Sequence, residues 1–258
     1  MSVRSVLRWL KALLFPPICR VCGERQNIFA PLLPGPICSA CAPRWASRMA
    51  KPCPECMRPR SRCLCAPTLL HEIGCEYMVK LSSYQPGSHD VTERLLLRCK
   101  DTNDRALFNY LASELTMPAF RALQACGAEW SETVVCHVPR RPGAVLTVGH
   151  DQAAMLARAL SRQLERPHAR VLRRTWGGGP QKELSAAARH LQAQRSYRLA
   201  SKAVLTGKAV LLVDDICTTG ATLAACAERL YAGGARAVIP ICIASTPSGE
   251  SGDSEQHL

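Results

Sequence analysis

Apolar residues recur along this chain in two spacings, and their alternation predicts the architecture. Helical spacing of three and four covers Asp90–Cys99 and Asp104–Leu123, the latter with Leu107, Leu111 and Leu115 on one stripe. It returns at Asp151–Leu164, whose buried stripe is expected to be Ala153, Leu156, Ala157, Leu160 and Leu164. Ser185–Gln194 and Thr222–Tyr231 read as two further helices. Between them lie short apolar runs of strand character: Glu76–Tyr84, Thr133–Val138 ending at Pro139, Ala169–Leu172, Ala209–Val213 and Ala237–Ala244. Strands alternating with helices imply an α/β fold built on a parallel, doubly wound sheet. Arg174–Gln181, with glycines at 177, 178 and 179, is expected to be a loop.

The two ends differ from this middle. Met1–Phe15 places Val3, Val6, Leu7, Leu10, Leu13 and Leu14 at helical spacing, interrupted by Arg4, Arg8 and Lys11. Such an amphipathic segment is too short and too charged to span a bilayer, and no small-residue cleavage pattern follows it. No transmembrane segment is expected, and the chain reads as cytoplasmic. The expected organisation is an N-terminal helix with a Cys-rich module over residues 1–66, a helical hood segment over 67–130, the main α/β core over 131–245 and a polar, disordered tail over 246–258.

Composition sharpens this picture. Of 258 residues, 47% are hydrophobic but only 5% aromatic, so the core must be built from Ala, Leu and Val. The formal charge of +13 is uneven, because residues 1–65 hold eleven Lys and Arg against Glu24 and Glu55. A basic module on a nearly balanced domain suits an acidic partner, nucleic acid being the commonest. A basic surface in contact with water alone is the plainer alternative.

Eight of the fifteen cysteines fall between residues 19 and 65, as Cys19-x2-Cys22, Cys38-x2-Cys41, Cys53-x2-Cys56 and Cys63-x-Cys65. Each short spacing turns two thiolates toward one ion, and four sulfurs at tetrahedral corners make a closed structural zinc site. The simplest pairing sets Cys19, Cys22, Cys38 and Cys41 on one Zn²⁺ and Cys53, Cys56, Cys63 and Cys65 on a second; spacing leaves a crossed pairing open. Redox CxxC motifs usually stand singly at a helix start, so a double zinc ribbon is the stronger reading. Ion and thiolates together would lower the module's charge to about +5.

The densest chemistry lies at Val210-Leu211-Leu212-Val213-Asp214-Asp215-Ile216-Cys217-Thr218-Thr219-Gly220-Ala221-Thr222. An apolar strand delivers two carboxylates to its carboxyl end, where open α/β sheets bind ligands. A turn of hydroxyls and glycine follows, then a helix start whose amides and dipole favour an anion. A simple helix cap needs one such side chain, and two acids with three threonines exceed that need. The motif fits a ribose 5-phosphate.

This stretch resembles the phosphoribosyl-pyrophosphate (PRPP) signature of type I phosphoribosyltransferases. The resemblance implies a parallel sheet of about five strands under a variable hood. It implies that Asp214 and Asp215 bind the ribose 2′- and 3′-hydroxyls, that Thr218, Thr219, Gly220, Ala221 and Thr222 cradle the 5′-phosphate, and that Mg²⁺ accompanies the pyrophosphate. Preceded by a zinc module, the chain resembles the ComF family of competence-associated proteins and their GntX-like relatives over residues 7–245. Lys100 and Asp104, Pro139, Gly149 and Gln152, and Pro180, Gln181, Leu184, Ser185 and Arg189 fall in segments of that family's pattern. Val148, His150, Asp151, Gln194 and Cys217 depart from it. A role in natural transformation follows from the resemblance, with single-stranded DNA and the DNA-uptake machinery as partners. Candidate cations for departing pyrophosphate are Lys182, Arg189, Arg140, Arg141 and Lys100, Lys182 being preferred for its place in the Gly-rich segment. His137 and His150 lie near the same strand end.

Overall fold

The computed structural model describes residues 14, 16–26, 35–175, 195–200 and 205–247. The expectations for Met1–Phe15, for Lys182 and most of the Gly-rich loop, for Ser185–Gln194 and for the tail fall almost wholly outside them. In order, the elements are α1 (Ala42–Ala50), a 3₁₀ turn (Arg60–Arg62), α2 (Thr68–Glu72), β1 (Val79–Ser83), α3 (Val91–Asp101), α4 (Arg105–Ala125), β2 (Thr133–His137), α5 (Pro142–Val148), α6 (Gln152–Leu164), β3 (Leu172–Arg174), β4 (Tyr197–Leu199), β5 (Ala209–Val213), β6 (Ile216–Cys217), α7 (Ala221–Ala232) and β7 (Ala237–Ser245).

Three helices start where an aspartate caps them. The Asp90 carboxylate accepts from Glu93 N–H, Asp104 from Ala106 and Leu107 N–H, and Asp151 from Ala154 N–H. Two of these caps also anchor the Cys-rich module: Arg20 pairs with Asp104, and Arg48 with Asp90 at 2.8 Å.

The main sheet runs β1-β7-β5-β2 with every pair parallel, and β6 adds to β7 beyond β5. Ala209 opposes Ala237 and Cys217 opposes Ser245, so β5 and β6 follow β7 in one unbroken register. Asp214 and Asp215 occupy the gap between them. The β5 side chains alternate: Leu211 and Val213 join the core under α4 and α6, while Val210 and Leu212 join the core under α7. Both faces are covered, which is why the strand reads as a continuous apolar run. The five expected positions on α6 are all buried. Leu156 is fully buried there, and Leu156→Ala is expected to cost about 2–5 kcal/mol, read as a shift in the urea midpoint.

One expected strand is displaced. The backbone of residues 167–169 pairs with β2 through Val135 N–H to Pro167 O (2.9 Å) and Ala169 N–H to Val135 O (2.8 Å), giving an isolated bridge at His168. The extended segment is Leu172–Arg174, antiparallel to Tyr197–Leu199 in a separate two-stranded sheet. A partner more than twenty residues away sets these bounds, and local periodicity does not reveal it. Helix α5 was also not legible; Pro142 opens it and Gly149, at φ +83, closes it. Among the described residues no helix is long and apolar enough to cross a membrane.

Candidate functional site

At the carboxyl end of the sheet, a cavity of about 250 Å³ is lined by Asp214, Asp215, Thr222, Arg140, Asp151 and Gln152, with Lys100, Arg174 and Tyr197 closing it. The sheet itself makes this opening. Val138 N–H still reaches Val213 O at 2.9 Å, but β2 then turns away at Pro139. The segment after β5 stays tied to β7 through Asp214 N–H to Ile241 O (2.9 Å) and Ile243 N–H to Asp215 O (3.0 Å). One oxygen of each acid accepts from the next backbone amide, Asp215 N–H at 2.9 Å and Ile216 N–H at 2.8 Å. Burial, then the Asp215 charge beside it, holds the Asp214 carboxyl well above the usual carboxylate range.

The turn at 218–220 leads directly into α7. Gly220 is its N-cap residue at φ +80 and supplies no side-chain cap. The nearest aid is Thr219 Oγ1, accepting from Ala221 N–H at a long 3.4 Å. The first turn of α7 is therefore left to an incoming anion. Thr218 is fixed by the residue that follows β7, its carbonyl accepting from Thr246 Oγ1 at 2.9 Å. A Cβ on Gly220 would meet Leu70 at 3.6 Å and Pro67 at 3.8 Å, ordinary contacts, so the left-handed backbone is what requires glycine. Gly220→Ala is expected to destabilise by about 1 kcal/mol in chemical denaturation and to weaken any phosphate ligand.

Opposite the acids, Arg140 organises the wall. Its backbone N–H donates to Asp151 Oδ2 at 3.2 Å and its Nη1 donates to Gln152 Oε1 at 2.8 Å. A guanidinium only donates, so Gln152 must present its oxygen to Arg140. That leaves Gln152 Nε2 buried with no partner, in a side chain only 4% exposed. A buried amide donor without an acceptor, beside three cationic side chains, fits an oxygen-rich anionic ligand. Arg174 reaches the cavity from β3, its guanidinium stacked 5.2 Å from the Tyr197 ring centre.

The structure thus brings Asp214, Asp215, Thr222, Arg140 and Lys100 to one cavity, with Thr218, Thr219, Gly220 and Ala221 in the adjoining turn. Arg141 is half-buried at the N-cap of α5 and does not line the cavity. Lys182 lies outside the described residues. Asp151, Arg174 and Tyr197 carry no local signal as site residues; Gln152 was marked only by its place in a family segment. His137 faces elsewhere, its Nδ1 3.0 Å from His168 Nε2, and burial drives its pKa down to about 4 against the pull of Asp151. His150 sits between the Cys99 carbonyl at 3.1 Å and the Val148 carbonyl at 3.2 Å, tying α3 to α5.

The eight module cysteines gather in two groups, Cys19, Cys22, Cys38 and Cys41 and Cys53, Cys56, Cys63 and Cys65, with all sulfurs of a group within 4.8 Å of one another. A Zn–S bond of about 2.3 Å gives a tetrahedral edge of about 3.8 Å, and Cys22 Sγ lies 3.8 Å from Cys38 Sγ. The donor set and its size fit zinc. The amides of Val21 and Cys38 also point at Cys19 Sγ, at 3.4 and 3.3 Å. Burial raises the Cys19 thiol, but amides of Cys22, Cys38 and Val21 outweigh it and bring the pKa down to about 6, while burial and the neighbouring thiols push Cys41 up to about 12.

Residues 125–256 match the family model for the phosphoribosyl transferase domain. The DNA utilization protein YhgH of Escherichia coli (strain K12) is 28% identical over 214 residues, covering 81% of this chain and 90% of that protein. Its namesake from Salmonella typhimurium is 27% identical over 218 residues, with 81% and 90% covered. A hypoxanthine phosphoribosyltransferase structure from Staphylococcus aureus aligns over 60% of this chain and 74% of that one, with 16% identity and a TM-score of 0.35. A family model spanning half the residues, over a parallel sheet that opens an acid-lined cavity at its carboxyl end, shows that this chain belongs to the phosphoribosyl transferase domain family.

Proposed function

We propose that this chain is a ComF-type, PRPP-binding protein with a phosphoribosyltransferase-like site, acting in the uptake or use of DNA. One observation carries the PRPP reading: two adjacent carboxylates and an uncapped helix start meet at the end of one strand, facing a wall that holds Lys100, Arg140 and Arg174. In this reading Asp214 and Asp215 accept from the ribose 2′- and 3′-hydroxyls. The amides and hydroxyls from Thr218 to Thr222 hold the 5′-phosphate. Arg140, the Gln152 amide and Arg174 receive pyrophosphate oxygens, with Lys182 as a further cation. Mg²⁺ suits this site because two carboxylates plus ligand phosphates are its usual set, and bound with PRPP it would supply neutralising charge. Transfer breaks the bond from ribose C1 to pyrophosphate as an acceptor lone pair forms the new one. The cationic wall stabilises the leaving charge because it is already in place. Each four-cysteine group holds one structural Zn²⁺.

Titration calorimetry with Mg²⁺ and PRPP tests the reading. A saturable heat is expected, and no heat from the zinc-loaded protein would end it. Pyrophosphate release across nucleobases and oligonucleotides then tests turnover.

The DNA link is supported by relatives named DNA utilization protein and by the basic balance of residues 1–65. Affinity for single-stranded oligonucleotides that falls steeply with salt is expected. Salt-insensitive binding would count against it.

A further inference from the structure

Behind the turn at Gly149–Asp151 lies a second cavity, of about 730 Å³, between α4, α5 and α6. Four guanidiniums line it: Arg105 from α4, Arg158 and Arg162 from α6, and Arg170 from the segment that bridges to β2. All four residues are exposed. Among the described residues none of them has an ion pair. Arg162 is oriented by a neutral partner, Asn109 Oδ1 at 3.1 Å, and keeps its charge. Arg158 and Arg162 stand one turn apart, a like-charged pair that repels unless an anion lies between them. The one acid in the wall, Asp151, is already engaged by the amides of Ala154 and Arg140. The positive field reaches the His137–His168 pair, where burial first and then Arg158 and Arg170 hold the His168 imidazole below its ordinary pKa.

We infer that this cavity binds the phosphates of a nucleotide, carried either by a free nucleotide or by a nucleic-acid strand. Guanidiniums fit phosphate oxygens in pairs, and four of them around one cavity leave room for more than one phosphate. Val145 and Met155, both partly exposed, offer an apolar surface on which a base can lie. The site is separate from the PRPP cavity and shares only the Asp151 wall with it. The strand form rests on the DNA-linked reading above; the site itself does not.

Fluorescence polarisation of labelled oligothymidylate on the zinc-loaded full chain, with ADP as competitor, tests the inference. The Arg158→Ala, Arg162→Ala, Arg170→Ala protein is expected to bind about tenfold more weakly, and a strand should lose about 2 from its log–log salt slope, at about 0.7 per lost phosphate contact. Displacement by ADP at micromolar levels points to the free nucleotide; binding of the strand without such displacement points to nucleic acid. Heat with PRPP should persist in the variant, which separates loss of this site from loss of the fold or of the PRPP reading. If that heat also disappears, Arg158→Gln and Arg170→Gln singly, both at exposed positions, carry the same measurement. Unchanged affinity and slope in the variants, or no binding of either ligand by the wild type while PRPP still binds, would overturn the assignment.

Discussion

Replacing Asp214 and Asp215 by asparagine should weaken PRPP binding at least about tenfold, or about 1.4 kcal/mol, and at the same time make the unliganded protein more stable. The two effects share a cause. Burial and the Asp215 charge raise the Asp214 pKa above its value in the unfolded chain. In the window between the two values the folded state holds the extra proton, so stability is greatest below the unfolded pKa and is lost as pH rises through the folded one. Ionising the buried Asp214 costs the folded state stability, a cost that asparagine does not carry. Ligand binding has the opposite slope, since a protonated Asp214 accepts poorly from a ribose hydroxyl. Affinity should therefore fall as pH drops through the raised pKa of Asp214, at a higher pH than an ordinary aspartate would give. Calorimetry across pH and thermal melts of Asp214→Asn check both parts. A variant that binds as the wild type does, or that melts lower at neutral pH, contradicts this account.

Stripping zinc should have the larger effect on the fold. Binding of a structural zinc is worth about 10–16 kcal/mol at neutral pH, comparable to the whole stability of a domain. The module cannot substitute a core of its own, and its buried side chains are shared. Cys19, Cys41 and Trp45 belong to the same apolar cluster as Val79, Leu95 and Leu107. Trp45 is 1% exposed, so its release into water should redshift the tryptophan emission. Chelation, or Cys41→Ser or Cys63→Ser, is expected to unfold the Cys-rich module and to lower the melting point of the remainder, because Arg48 and Arg20 then leave the caps of α3 and α4. Elemental analysis should find two zinc ions per chain. A chain without zinc and with an unchanged melt would refute the assignment.

Local features of the sequence carried much of this protein. Apolar spacing located α3, α4, α6 and β5 nearly to the residue, because periodicity and the caps Asp90, Asp104 and Asp151 are properties of neighbouring residues. The cysteine pairs and the turn from Asp214 to Thr222 were equally legible, for each is a single stretch of chain. What only the tertiary structure decided was which distant stretches meet. It sorted the eight cysteines into two groups and left no crossed arrangement. It moved the expected strand at 169–172 to 172–174, where Tyr197–Leu199 is its partner. It turned Asp151, Gln152, Arg174 and Tyr197 toward the acids, and it gathered Arg105, Arg158, Arg162 and Arg170 around one cavity. Spacing encodes hydrogen bonds and side-chain faces within a few residues. Cavities are made where packed elements end, and their chemistry is fixed by contacts between residues that no local pattern connects.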